Sequence, residues 1–165
     1  MPKRLFLLFI FTFVFIFAVF AEENNKRGRE DIWIGISADT AFYSVVGLAY
    51  GGGFVLGYGT GSAIGLKATW LIDQDGIDTL ELGFLLRFYF FGMNAYSGPF
   101  IQFVGGTSLF NRSGNFSVPS YSGNISAGLC LGWRFIVSNR WFIEPSVRGG
   151  YPYLYGASIS AGIRF

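Results

Sequence analysis

The sequence predicts an all-β fold: an eight-stranded antiparallel up-and-down transmembrane β-barrel that follows a cleaved signal peptide. Three observations lead to this prediction. Apolar and small or polar side chains alternate with period two over most of the chain after residue 31. Only 13% of the residues are charged, against about 25% in an average soluble domain, which is few for a surface in water. The first 21 residues have the pattern of a secretory signal.

The N-terminal segment divides into two parts before the barrel. Lys3 and Arg4 precede an apolar run from Leu5 to Phe20, and Ala21 suits a cleavage site, so residues 1–21 are predicted to be a signal peptide. The alternative is an uncleaved anchor, but this run is shorter than the roughly 20 residues that span a bilayer. Residues 22–30 are polar and charge-mixed and are predicted to form a flexible segment, with the barrel over 31–165.

The alternation predicts eight strands. They cover residues 32–38, 43–58, 62–72, 77–91, 99–110, 122–137, 141–149 and 155–165. The last strand is the clearest, because Tyr155, Ile159 and Phe165 share one face with other apolar residues while Ser158, Ser160 and Arg164 lie on the opposite face. The front of the chain is the least regular, and three consecutive glycines at 51–53 predict a bend or bulge there. Pro145 is expected to remove one donor from its ladder.

The connections between these strands predict the orientation of the barrel. With both termini in the periplasm, segments 73–78, 111–123 and 149–154 fall outside the cell. The shorter turns at 59–61, 92–98 and 138–140 fall on the periplasmic side. Short periplasmic turns and longer outer loops are typical of outer-membrane barrels.

Charged and polar side chains collect on the face that the alternation assigns to the lumen. They are Lys67, Glu81, Arg87, Gln102, Arg134, Glu144, Arg148 and Arg164. One interpretation is a polar conduit or binding site. The favoured one is an ion-paired network that fills an interior too narrow for a water channel. This set has five bases and two acids, so it leaves the arginines short of partners.

Enzyme chemistry is poorly supported by the sequence. The chain has no histidine, which removes the usual triads and the commonest metal ligand, so we expect no enzyme, metal site or cofactor. Cys130 is expected to be a buried filler, and Glu81 and Glu144 lie among arginines that would keep them ionised. Asp73, Asp75, Gly76 and Asp78 resemble a calcium loop only in part, and a plain turn is favoured.

Net charge also argues against a nucleic-acid partner. Loss of residues 1–21 removes two of the 12 basic residues and none of the 10 acidic ones, which leaves a net charge of zero. A protein that binds nucleic acid needs a basic face.

Motifs in the second half of the chain resemble those of known barrels. They are Arg87-Phe88-Tyr89-Phe90, Ser97-Gly98-Pro99-Phe100-Ile101, Gly132-Trp133-Arg134-Phe135, Phe142-Ile143-Glu144-Pro145-Ser146 and the closing Gly162-Ile163-Arg164-Phe165. Over residues 77–165 the chain resembles small eight-stranded outer-membrane barrels of the OmpX-like and OmpW-like groups, and an uncharacterised bacterial family of that size. The resemblance implies that Tyr155, Ile163 and Phe165 form the signal read by the barrel-assembly machinery.

The expected function is a structural or surface-interaction role in the bacterial outer membrane. The partners would be outer-membrane lipids and an extracellular or envelope ligand at segments 73–78, 111–123 and 149–154, where outer loops carry function. The alternative is a passive transporter of small hydrophobic molecules, which the resemblance to the OmpW-like group implies. A lipid-modifying enzyme of this size would resemble proteins that use a histidine, which this chain lacks.

Overall fold

The structure is a computed structural model. It describes residues 32–44, 47–59, 61–74, 76–90, 97–111, 121–138 and 140–165, with only the backbone of Tyr121. The predicted signal peptide and the N-terminal segment 22–30 lie outside the described residues. No helix in this described part of the chain is long and apolar enough to cross a membrane.

Eight antiparallel strands form one closed barrel. They are β1 (Ile32–Tyr43), β2 (Gly47–Gly59), β3 (Ser62–Asp73), β4 (Asp78–Tyr89), β5 (Gly98–Asn111), β6 (Tyr121–Ile136), β7 (Trp141–Tyr151) and β8 (Tyr153–Arg164). Each strand pairs with its neighbours in the sequence, and β1 pairs with β8 to close the barrel. The predicted eight-stranded up-and-down barrel is therefore confirmed. One end carries both termini of the barrel and the other carries the connections after β1, β3, β5 and β7; we call them the termini end and the loop end.

The strands alternate between a lumen face and an outer face, as the sequence predicts. In β8, Ser158 and Ser160 are buried in the lumen whereas Ile159 between them is 55% exposed. Large apolar side chains cover the outer face of every strand. Examples are Ile36, Phe54, Ile64, Phe84, Phe103, Ile125, Val147 and Ile159. A surface of this kind is unfavourable in water and suits the hydrocarbon of a bilayer.

The glycine run at 51–53 does not form the predicted bulge. Gly52 pairs with Ala38 of β1 and Trp70 of β3, in a register that does not shift on either side. A Cβ atom at Gly51 would lie 1.9 Å from the carbonyl oxygen of Trp70, so the strands approach closely here. The glycines permit this close approach, and the strand stays regular. A run of glycines is compatible with a bend and with close packing, so the composition alone did not distinguish the two.

Several predicted boundaries are wrong, and β2 begins at Gly47 where the prediction had 43. β1 continues to Tyr43, five residues past its predicted end, because Asp39 continues the lumen face where a polar side chain is tolerated. The predicted loop 149–154 is almost entirely strand, since Gly149 pairs with Tyr155 and only Pro152 lies between β7 and β8. The predicted loop 111–123 is strand at both ends, and residues 112–120 lie outside the described part.

Pro145 leaves a local gap in the ladder, as expected from its missing N–H group. β6 and β7 pair at Gly132–Ser146 and again at Phe135–Ile143, but not at the two positions between these pairs. The pairing of Pro145 with Ile159 of β8 is retained. The gap therefore removes ladder bonds without shifting the register.

Candidate functional site: the barrel interior and the loop-end rim

The lumen is filled by three layers of side chains. The termini-end layer is an apolar cluster around Trp33 and Phe142, whose rings meet edge to face at 6.0 Å. The other members of this cluster are Val55, Ala63 and Leu85, with Val104 and Ile136 packed against it. Trp33 fits because it lies opposite Gly57 of β2, where a Cβ atom would be only 2.1 Å from the indole ring.

Two arginines share one carboxylate in this termini-end layer. Arg87 Nη1 lies 2.6 Å from Glu144 Oε1, and Arg134 Nε donates to the same oxygen. Arg87 also donates from Nε and Nη2 to Gln102 Oε1, at 2.9 and 2.7 Å. All four side chains are buried. The group carries one excess positive charge.

Aromatic rings surround the guanidinium groups of these arginines. Arg87 Cζ lies 4.5 Å from the ring centre of Trp33 and 4.1 Å from that of Phe100. Arg134 Cζ lies 4.6 Å from Trp33 and 4.1 Å from Phe142. The negative faces of the rings stabilise a desolvated cation, which compensates in part for the missing second carboxylate.

The central layer contains two separate ion pairs. Lys67 Nζ lies 2.7 Å from Asp39 Oδ1, and Arg148 Nη1 lies 2.6 Å from Glu81 Oε2. The second oxygen of Glu81 accepts a hydrogen bond from the hydroxyl of Tyr43. Here bases and acids match one to one, so this layer is neutral.

The loop-end layer closes the lumen above the ion pairs. Tyr43 packs edge to face against Phe110 at 5.7 Å and against Tyr153 at 6.3 Å. Ala41, Ala49 and Leu71 complete this cluster. The guanidinium of Arg148 lies 4.3 Å from the ring centre of Tyr153, which links this layer to the central one.

The structure brings seven of the eight predicted lumen residues into these contacts. They are Lys67, Glu81, Arg87, Gln102, Arg134, Glu144 and Arg148. Arg164 lies on the same face at the termini end, opposite Trp33. Their role as a functional network stays a prediction.

Sequence reasoning missed Asp39, which supplies the partner of Lys67. Asp39 follows Trp33, Gly35 and Ser37 at steps of two, so extending the lumen face by one step would have found it. The alternation also assigns Trp33 and Phe142 to the lumen face, where both are buried. Sequence reasoning did not identify Tyr43, Phe100 and Tyr153 as lumen residues, and it did not predict that aromatic rings fill both end layers.

The cavity in the central layer is small. It has a volume of about 30 Å³ and is bordered by Lys67, Glu81 and Arg148 among other residues. A buried water needs roughly 10–15 Å³ of such space, so the cavity has room for two or three. An interior filled to this degree is a packed core.

The outer wall has aromatic residues near both ends of the apolar band. On β2, Tyr50 lies near the loop end and Tyr58 near the termini end, eight residues apart. At about 3.3 Å per residue and a tilt of about 40°, this separation spans roughly 20 Å, close to the apolar band of about 25 Å in outer-membrane barrels. Trp70 lies near the loop end, and Trp133 and Trp141 near the termini end.

One hairpin rises above its neighbour at the loop-end rim. β6 pairs with β5 from Tyr121 onward, but its described pairing with β7 begins only at Ala127. The hydroxyl of Thr107 in β5 donates to the carbonyl oxygen of Asn124 at 3.1 Å, so this carbonyl is directed towards β5. The N–H and C=O groups of successive residues in a strand point to opposite sides. Those of Gly123 and Ile125 are therefore directed away from β5, towards the edge of β6 on the β7 side.

The residues of the implied assembly signal lie on the outer face of β8. Tyr155 and Phe165 are exposed, and the amide of Phe165 donates to the carbonyl of Ile32 at 2.8 Å. Tyr155 also stacks on Phe42 at 5.2 Å. Recognition of these residues by the assembly machinery stays a prediction.

The predicted turn at 73–78 is organised by its own first residue. Asp73 Oδ1 accepts the amide of Ile77 at 2.7 Å, and Gly76 adopts a left-handed φ of 77°. Asp73 and Asp78 are the end residues of β3 and β4. Among the described residues, no group of three His, Cys, Asp or Glu side chains is arranged to hold a metal ion.

These features define a small eight-stranded transmembrane barrel of the outer-membrane type, with a filled interior. The chain belongs to the family described as "Protein of unknown function (DUF3575)", which matches residues 68–161. No curated protein sequence matches the chain.

Solved structures of bacterial outer-membrane barrels share this fold. The N-terminal β-barrel domain of Pseudomonas aeruginosa OprF is 16% identical, with a TM-score of 0.60 over 84% of this chain and 100% of that one. Neisserial surface protein A is 14% identical, with a TM-score of 0.57 over 82% and 95%. Yersinia pestis Ail, solved in complex with the heparin analogue sucrose octasulfate, is 15% identical, with a TM-score of 0.52 over 82% and 97%. At these identities the likeness concerns the fold.

Proposed function

We propose that this protein resides in the bacterial outer membrane, exported through residues 1–21, and acts by binding a protein partner at its loop end. In this proposal the packed interior makes the barrel a rigid anchor in the lipid. Structural relatives with the same fold come from outer membranes and bacterial surfaces, which supports this location. Tyr155, Ile163 and Phe165 would be the residues that the assembly machinery reads.

The observation that carries the proposal is the edge of β6 from Tyr121 to Ser126, which has no strand partner on the β7 side among the described residues. A strand edge with unpaired N–H and C=O groups is a template for another extended chain. Natural proteins usually protect such edges with lysine, proline or a bulge. The segment Tyr121–Ser126 has no charged residue and no proline, and Ile125 is 81% exposed.

Charge at the loop end favours a protein partner over a polyanionic sugar. Asp73 and Asp78 lie at the turn after β3, and Asp75 lies between them in the sequence. Arg112 is the one basic residue in the sequences that connect the strands at this end. A ligand like the heparin analogue bound by Ail would find a single basic residue in these connecting sequences. An extended, uncharged protein segment suits the edge.

Gly123→Pro tests the edge directly. Proline removes the amide that is directed to the open side and leaves the bonds between β5 and β6 in place. Gly123→Ala is the matched control, since its new Cβ atom would meet Leu109 at an ordinary 3.4 Å. Adhesion of cells expressing each variant to immobilised serum and matrix proteins is the measurement, with heat-dependent gel mobility to verify folding.

We expect Gly123→Pro to lower adhesion about fivefold, since the one hydrogen bond lost contributes on the order of 1 kcal/mol. Gly123→Ala should adhere like the wild type. Equal adhesion by the proline variant and the wild type would rule out the edge of β6 as the binding site. Adhesion no greater than that of cells lacking the protein would contradict the surface role itself.

The alternative function, passive transport of small hydrophobic molecules, has one feature in its favour. An apolar groove of about 500 Å³ runs over β2, β3 and β4 on the outer wall, between Phe54 and Phe84. The ladder beneath it is continuous, because β2 and β3 pair at every position from Ala49 to Gly59. The strands beneath the groove thus leave no opening between the groove and the lumen. Equal uptake of an apolar solute by vesicles with and without the protein would exclude transport.

A further inference from the structure

Polar side chains form one part of the wall of the cavity in the central layer. Its lining includes Lys67, Thr69, Glu81, Ser126, Arg148 and Ser158, which come from five strands. The two aromatic layers described above lie on either side of it. This cavity therefore lies inside the barrel, and Ser126 is the residue of the proposed binding segment Tyr121–Ser126 that borders it.

Several buried polar atoms on this wall have no hydrogen-bond partner among the described residues. They are Arg148 Nε, Arg148 Nη2, Thr69 Oγ1 and Ser158 Oγ. Arg148 is 9% exposed and Thr69 is 1% exposed, so neither reaches bulk solvent. A buried donor without a partner is strongly unfavourable, above all on a charged group. These atoms call for an acceptor within the cavity.

Charge decides what kind of acceptor fits. The two ion pairs beside the cavity, Lys67 with Asp39 and Arg148 with Glu81, sum to zero. An anion would add a buried negative charge without a counter-charge, which is unfavourable in such a site. A neutral molecule that both donates and accepts satisfies the arginine and the hydroxyl groups together.

We propose that the central layer is a hydration site that holds a cluster of two or three buried water molecules, as its volume of about 30 Å³ allows. The waters accept from Arg148 Nε and Nη2 and bridge them to Thr69 and Ser158. The aromatic layers trap them, so they exchange with bulk water only when the barrel opens. The interior then has a hydrated polar layer between two layers of packed rings.

The test is crystallography of the full barrel, with bromide in one set of crystals, on the wild type, Thr69→Val and Thr79→Val. Valine replaces threonine with little change in size and removes the hydroxyl. Thr79 is the matched control, because it is also fully buried with an unpartnered hydroxyl but does not line the cavity.

We expect water density within hydrogen-bond distance of Arg148 Nε and Nη2 in the wild type. Thr69→Val should lose at least one of these waters, and Thr79→Val should keep them all. Bromide density in the cavity would overturn the proposal in favour of a halide site. A cavity without density in the wild type, or an unchanged cluster in Thr69→Val, would also overturn it.

Discussion

The termini-end and central layers of the lumen bury charge in opposite ways. In the termini-end layer, Arg87 and Arg134 share the single carboxylate of Glu144 and lie against aromatic rings. In the central layer each base has its own acid, and hydroxyl groups border a cavity. All three carboxylates are buried, with Glu144 1%, Asp39 2% and Glu81 8% exposed.

The difference shows that one barrel uses two means of stabilising buried ions. Ring faces stabilise an unmatched cation in the termini-end layer, and polar groups stabilise matched pairs in the central layer, where there is a cavity. The two layers should therefore respond differently when one carboxylate is removed.

Glu144→Gln should have the largest effect. It leaves the buried guanidinium groups of Arg87 and Arg134 without a counter-charge, so we expect the free energy of unfolding to fall by about 3–5 kcal/mol. Urea titration of the barrel in lipid vesicles, followed by tryptophan fluorescence, measures this change. A loss below about 1 kcal/mol would mean that the rings alone stabilise both arginines.

Glu81→Gln should have a smaller effect. It removes the partner of Arg148, but the hydroxyl groups and the cavity remain beside that arginine, so we expect a loss of about 1–3 kcal/mol. The same titration measures it, side by side with Glu144→Gln. If the free energy of unfolding falls equally in both variants, the termini-end and central layers do not differ in how they stabilise a buried arginine.

Gly57→Ala should have the smallest effect of the three and concerns only the termini-end layer. The new Cβ atom would lie 2.1 Å from Trp33, so the indole must shift from its place beside the arginines, and we expect a loss of about 1–2 kcal/mol. Gly105→Ala is the control, since a Cβ there meets nothing within 4 Å. A shift of Trp33 would appear in its fluorescence, and equal stability of both variants would contradict the tight packing.

Several features of the site were within reach of the sequence and others were not. Glu81, Arg87 and Glu144 were placed in the lumen because alternation alone separates the two faces. Asp39 is the residue directly after the predicted first strand, 32–38, which was too short. The alternation places Trp33 and Phe142 on the lumen face, but that their rings pack together and fill one end of the lumen could not be predicted, because this depends on the contacts between strands.

The sequence by itself determined the number of strands and the face of nearly every residue in the regular ones. It does so because successive side chains of a strand point alternately to the lipid and to the lumen, and these two environments differ in polarity. Only the tertiary structure decided which charges meet, since Lys67 and Asp39 come from non-adjacent strands, β3 and β1, brought together by the curvature of the closed barrel. It also decided that β6 rises above β7, because this depends on the register between two strands, which no single strand encodes.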